Sequence, residues 1–92
     1  MKITCDPAKH AQNIAKHGLD FRDAAHVFAG RRLDYVDDRH NYGEVRVQTV
    51  GFLAGRMVML VWTPRGEARH VISMRKCNAK EQKRYRQQFE AP

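Results

Sequence analysis

Arginines and a serine alternate with other residues along Glu67-Ala68-Arg69-His70-Val71-Ile72-Ser73-Met74-Arg75, a segment that reads as a strand. Successive strand residues point to opposite faces. Ala68, His70, Ile72 and Met74 are therefore expected on one face, and Glu67, Arg69, Val71, Ser73 and Arg75 on the other. Two guanidiniums beside a hydroxyl could hold a phosphate, which arginine meets with a rigid two-pronged fork. The same alternation fits the solvated outer face of an antiparallel sheet, and the pattern alone leaves both open. Lys76 and a basic helix carrying Lys80, Lys83, Arg84, Tyr85 and Arg86 follow directly. Metal-free RNA cleavage needs a base for the 2′-hydroxyl, an acid for the leaving 5′ oxygen and fixed cations for the charge on phosphorus. Arginine and lysine can supply the last, but a face that binds RNA without cutting it would use the same residues.

A second group of ionisable residues lies at Asp38-Arg39-His40 and Glu44-Val45-Arg46. His40 and Glu44 could act as general acid or base, since both types can be tuned toward neutral pH. A turn of solvated polar residues would look the same. Arg65 sits in the hairpin turn Pro64-Arg65-Gly66, where an exposed cation is ordinary. His10, His17 and His26 are not spaced at i, i+4, and no Cys-x-x-Cys or His-Glu-x-x-His occurs, so neither a metal site nor a cofactor is expected. His17, in the last turn of a helix, is placed to offset the helix dipole. There is no glycine-rich phosphate loop. Cys5 and Cys77 read as plain reduced thiols rather than a disulfide framework.

These groups are carried by 92 residues, enough for one domain with one modest core. Residues 1–46 hold eight Lys/Arg against seven Asp/Glu, and residues 47–92 hold nine against three, so nearly all of the +7 net charge is C-terminal. Such a balance favours an anionic partner: nucleic acid, an acidic protein or a membrane surface. No run of about eighteen apolar residues would span a membrane. The segment Met1–Asp6 lacks an apolar signal, which predicts a cytoplasmic protein with no membrane association.

Met1–Cys5 reads as a short edge strand. Asp6-Pro7 opens a helix that Gly18 closes, with Ala11, Ile14 and Ala15 as its apolar stripe. A second helix starts at Asp20, stapled by Leu19 and Ala24, and would bury Phe21, Ala24, Ala25 and Phe28 before Gly30 ends it. Strands are expected at 33–36, 45–53 and 57–63, the last apolar on both faces and so central. The arginine-bearing strand follows. Asn78 then caps a helix whose apolar residues are Ala79, Tyr85 and Phe89. The order β-α-α-β-β-β-β-α predicts an α+β fold, a meandering antiparallel sheet with helices on one side.

The sequence also resembles a known family. Asp6-Pro7-x-Lys9-x-x-x-Asn13-x-x-Lys16-His17-Gly18-Leu19-x-Phe21-x-x-Ala24-x-x-Val27-Phe28 is similar to the opening of BrnT-type toxins. The likeness continues through Asp38-Arg39-His40, Glu44-x-Arg46, Val50-Gly51, Gly55-Arg56, Thr63-x-Arg65-Gly66, Val71-Ile72-Ser73-x-Arg75, Glu81 and Tyr85. It departs at Cys5, where the family often has an aromatic, and at His70, where it usually has arginine. It departs again at Met74, where a small residue is usual. His70 is expected to face the core, so that change reads as packing. The resemblance implies a RelE-like fold and a metal-independent endoribonuclease toxin of a bacterial type II toxin–antitoxin module. Arg65 and Arg75 would hold the scissile phosphate, His40 and Glu44 would be acid and base, and Lys16, His17, Arg69, Ser73, Lys76, Lys80 and Tyr85 would contact RNA. It also implies a cognate antitoxin, in a heterotetramer of two toxins on an antitoxin dimer, which reaches operator DNA through the antitoxin. The RNA could be cut free or on the ribosome. The rival readings are a non-catalytic RNA- or DNA-binding module and an inactive toxin kept as a co-repressor.

Overall fold

A computed structural model describes residues 1–91. Its elements are β1 (Lys2–Cys5), α1 (Pro7–His17), a 3-10 turn (Phe21–Asp23), α2 (Ala24–Ala29), β2 (Leu33–Val36), β3 (Val47–Leu53), β4 (Arg56–Arg65), β5 (Ala68–Lys76) and α3 (Ala79–Glu90). This is the expected α+β order. The sheet runs β1-β5-β4-β3-β2, so β4 is central. Strands β2 to β5 form the antiparallel meander, and β1 joins β5 in parallel, which makes the sheet mixed. Among the described residues no helix is long and apolar enough to cross a membrane.

The expectation of helices on one side needs correction, because β4 divides the core in two. Val58, Leu60 and Trp62 pack with Leu19, Phe21, Ala24, Val27 and Phe28 under the 3-10 turn and α2. Met57 and Met59 point the other way and pack with Val50, Cys77, Tyr85 and Phe89 under α3. A strand apolar on both faces needs cover on both. In α2 Ala24, Val27 and Phe28 are buried, whereas Ala25, expected to be buried with them, is exposed. Gly51 on β3 lets this helix lie close, since a Cβ there would meet Val27 Cγ1 at 2.7 Å.

Helix α1 is turned away from the face expected of it. Ala11, Ile14 and Ala15 are exposed, Ile14 to 45%, and the one buried residue is Asn13. The cause lies in β5. Strand β1 pairs only as far as Cys5 with Val71, which leaves the outer edge of β5 open beyond that point. Asn13 closes it: Oδ1 accepts from Met74 N–H at 3.1 Å, and Nδ2 donates to Met74 C=O at 2.9 Å and to Leu19 C=O at 3.0 Å. A side-chain amide thus replaces a strand, so the helix needs a polar contact where an apolar stripe was expected. Asp20 adds a second tie, accepting from Arg22 N–H and meeting His10 Nε2 at 2.7 Å, while the His10 ring stacks on Phe21.

Strand β5 also carries a bulge. Val61 pairs with Ser73 but Trp62 pairs with Val71, so Ile72 is an extra residue and the alternation changes phase. Arg69 therefore does not share a face with Ser73 and Arg75. Its guanidinium lies over Phe28 and Trp62, at 4.4 and 5.1 Å from the ring centres, whereas Arg75 pairs opposite Met59 on the α3 side.

Leaving Met74 N–H and C=O without partners costs about 1–3 kcal/mol for each buried group. Asn13→Ala should lower unfolding free energy in urea by roughly 2–4 kcal/mol, while Ile14→Ser should stay within about 0.5 kcal/mol of the parent. An Ile14→Ser loss as large as that of Asn13→Ala would contradict this placement of α1.

Candidate functional site

The site is built where three elements meet: the start of α1, the β4–β5 hairpin and the loop 37–46. The loop is closed at its base by Asp37 N–H donating to Arg46 C=O at 2.7 Å. Asp37 then holds Arg39 by two hydrogen bonds of 2.8 Å, and this pairing keeps its carboxyl well below the usual carboxylate range. Thr63 of β4 donates from Oγ1 to Val45 C=O at 2.6 Å, which seats the loop against the strand that carries Arg65. The result is a cleft of about 320 Å³ lined by Asp6, Pro7, Lys9, Glu44, Arg46, Arg65, His70 and Ile72.

Glu44 stands between two arginines. Arg46 Nε is 3.8 Å from Oε1, and Arg65 Nη2 is 3.7 Å from Oε2. Both are ion-pair distances too long for a hydrogen bond. Arg46 Nε is buried with no acceptor, and the guanidinium lies 3.9 Å from the centre of the Tyr42 ring. Arg65 is half exposed, at 54% of its side chain. Arg65 thus presents exposed donors to the cleft, and Arg46 lines its wall with a guanidinium not closed onto Glu44. His70 faces the same cleft. Its Nδ1 meets Thr4 Oγ1 at 2.8 Å, and Thr4 is its register neighbour on β1. Burial, and then the nearby Arg65 charge, push the imidazole below its ordinary value, which favours the neutral ring.

Of the residues expected from sequence to carry chemistry, Glu44 and Arg65 meet in this cleft. His40 is in the same loop, exposed and edge-on to Tyr42, and does not line it. Arg75 is committed elsewhere: Nη1 and Nη2 each donate to Glu81 at 2.7 Å, which ties β5 to the start of α3. Lys16, His17 and Ser73 line an adjoining groove along α1. Arg69 is on the opposite sheet face, where burial and neighbouring Arg32 lower its pKa. Lys76 and Lys80 are exposed where β5 meets α3, and Tyr85 is buried beneath that helix. Burial pushes the Cys77 thiol up to about 11, that of an inert thiol.

Sequence reasoning did not assign Lys9, Arg46 or His70 to the site. Lys9 and Arg46 stand in the quoted motifs, but nothing in their spacing brings them together. His70 was expected on the core side because strict alternation cannot register the bulge at Ile72.

The family model described as ribonuclease toxin, BrnT, of type II toxin–antitoxin system matches residues 5–81, and the chain belongs to that family. No curated protein matches the chain.

Arg75 gives a fold-level prediction of its own. Its pairing with Glu81 holds that carboxyl at about 2, against 4.5 ordinarily. A carboxylate whose pKa is depressed by folding stabilises above its unfolded value and loses that contribution as pH falls through the folded one. Stability should therefore fall between about pH 5 and pH 2. Glu81→Gln should remove about 1–2 kcal/mol at pH 7, a figure discounted because Arg75 is partly exposed, and should flatten that acid limb. Urea titrations at several pH values measure both, and an unchanged acid limb would refute the pairing's role.

Proposed function

We propose that the cleft of Glu44, Arg46, Arg65 and His70 is the centre of a metal-independent endoribonuclease that cuts RNA at its own 2′-hydroxyl. One contrast carries this reading. Arg39 and Arg75 are held by carboxylates at 2.7–2.8 Å, whereas Arg46 and Arg65 stand 3.7–3.8 Å from Glu44 with donors unspent, beside a histidine whose neutral form is favoured. Free guanidiniums suit the charge that develops on a phosphorane, and a neutral imidazole suits proton abstraction.

In this mechanism Arg65 and Arg46 hold the non-bridging oxygens of the scissile phosphate. The 2′ oxygen attacks phosphorus as its proton passes to His70. The P–O5′ bond breaks, and the departing oxygen takes a proton from the Lys9 ammonium. Glu44 aligns the two arginines and gives way as the phosphate enters. No protein nucleophile is required. Family membership supports the wider reading: RNA cleavage halts translation, and a cognate antitoxin binds the toxin and carries the complex, two toxins on an antitoxin dimer, to operator DNA. An acidic antitoxin segment covering the cleft would satisfy the same arginines.

Loss of Arg65 removes charge stabilisation of a kind commonly worth about 10²–10³ in rate. Arg65→Ala should lower kcat/KM on a short RNA by that factor without changing the urea midpoint. The rate should fall in acid with a midpoint below 6.5, the ordinary imidazole value, because burial lowers the His70 pKa. His70→Ala should abolish that limb. Parental kinetics in Arg65→Ala, or an acid limb that survives His70→Ala, would refute the assignment.

A further inference from the structure

The cleft does not end at His70. A groove of about 260 Å³ adjoins it, sharing Lys9 and Ile72 and lined further by Gln12, Lys16, His17 and Ser73. Its wall on α1 is a single helix face, because residues 9, 12, 13, 16 and 17 recur at helical spacing. Its other wall exists because of the β-bulge, whose extra residue Ile72 lines the groove together with Ser73. Asn13 anchors the two walls to each other through Met74, so their spacing is fixed by the backbone. No carboxylate lines the groove, which offers two ammonium groups, an imidazole, two amides (that of Asn13 engaged with Met74), a hydroxyl and one branched apolar side chain.

Resting on the ribonuclease reading above, we propose that this groove is a subsite for one nucleotide of a single-stranded RNA, next in the chain to the nucleotide cut in the cleft. Lys16 binds its phosphate, while Lys9, at the border of cleft and groove, stays with the scissile phosphate. The base lies against Ile72 and His17, and the Gln12 amide, which can donate and accept, reads the base edge. The strand then runs from the cleft along α1 toward His17. The chemistry matches what single-stranded nucleic acid asks of a protein: a basic track for the backbone with a flat or apolar surface for each base. Gln12 is exposed and free of side-chain hydrogen bonds among the described residues, so its donors and acceptor are not engaged in the fold.

The test uses the intact protein and short single-stranded 2′-O-methyl RNA homopolymers. Their blocked 2′ oxygen cannot attack, so binding is read apart from cleavage. Lys16→Ala should weaken binding about fivefold to every homopolymer and lower the slope of log affinity against log salt by about 0.7, the share of one phosphate on a single strand. Gln12→Ala should narrow the spread of affinities among the four bases by about tenfold. Both residues are exposed, and an unchanged urea midpoint verifies that folding is intact. Parental affinity and salt slope in Lys16→Ala, with the parental base spread in Gln12→Ala, would overturn the subsite. If Arg65→Ala still slowed cleavage in that case, the ribonuclease reading would stand without it. Groove effects as expected in a protein that cuts no RNA would overturn the ribonuclease reading and keep the groove as a nucleic-acid site.

Discussion

The outer edge of β5 is the constraint on which the rest of this molecule depends. A strand edge left open inside a protein exposes backbone donors and acceptors that must find partners. Strand β1 covers the first part of that edge, from Ala68 to Val71, and by the same pairing sets Thr4 beside His70. Beyond Cys5 the chain turns into α1, and Asn13 takes over with both halves of its amide on Met74. The bulge at Ile72 lies between those two covers. One edge therefore decides the orientation of the histidine, the position of the helix and the direction in which Ile72 and Ser73 point.

Charge in this chain is abundant, and six of its eleven arginines are engaged within the fold. Arg22, Arg39 and Arg75 each spend their donors on a nearby carboxylate. Arg31 and Arg32 donate to backbone carbonyls at the ends of α3 and α2. Arg69 is flattened against Phe28 and Trp62. Two guanidiniums facing one cleft, with only Glu44 between them and neither closed onto it, differ from all of these. The loop geometry that produces this difference is structural: Asp37 and Thr63 fix both ends of the segment that carries Glu44 and Arg46. Position here discriminates among arginines where composition does not.

Much of the fold could be read from residue pattern. The caps at Asp6 and Asn78, the stop at Gly18 and the doubly apolar β4 all stand where local chemistry puts them. The second core under α3 was legible in principle, since Met57 and Met59 on one face and Val58 and Leu60 on the other demand cover on both. The bulge was not legible, because an inserted residue leaves no mark in an alternating pattern. Its consequence was to move Arg69 away from Ser73 and Arg75 and to bring His70 into the cleft. The face of α1 was misread for a related reason. An apolar stripe predicts burial only where a helix lies over a sheet face, and α1 lies along an edge. Glu44 and Arg65 were identified as candidates from residue type and family resemblance, but their convergence depends on Thr63 meeting Val45 across the fold.

The central claim is that RNA is cut by attack of its own 2′-hydroxyl in the cleft of Arg65 and His70. The most direct test is end-group analysis of a short single-stranded RNA incubated with the purified protein in excess EDTA, beside Arg65→Ala. The account predicts a 2′,3′-cyclic phosphate on one fragment and a 5′-hydroxyl on the other, unaffected by EDTA and formed about 10²–10³ times more slowly with the variant. Fragments bearing 5′-phosphates, cleavage that EDTA abolishes, or parental cleavage by Arg65→Ala would contradict it.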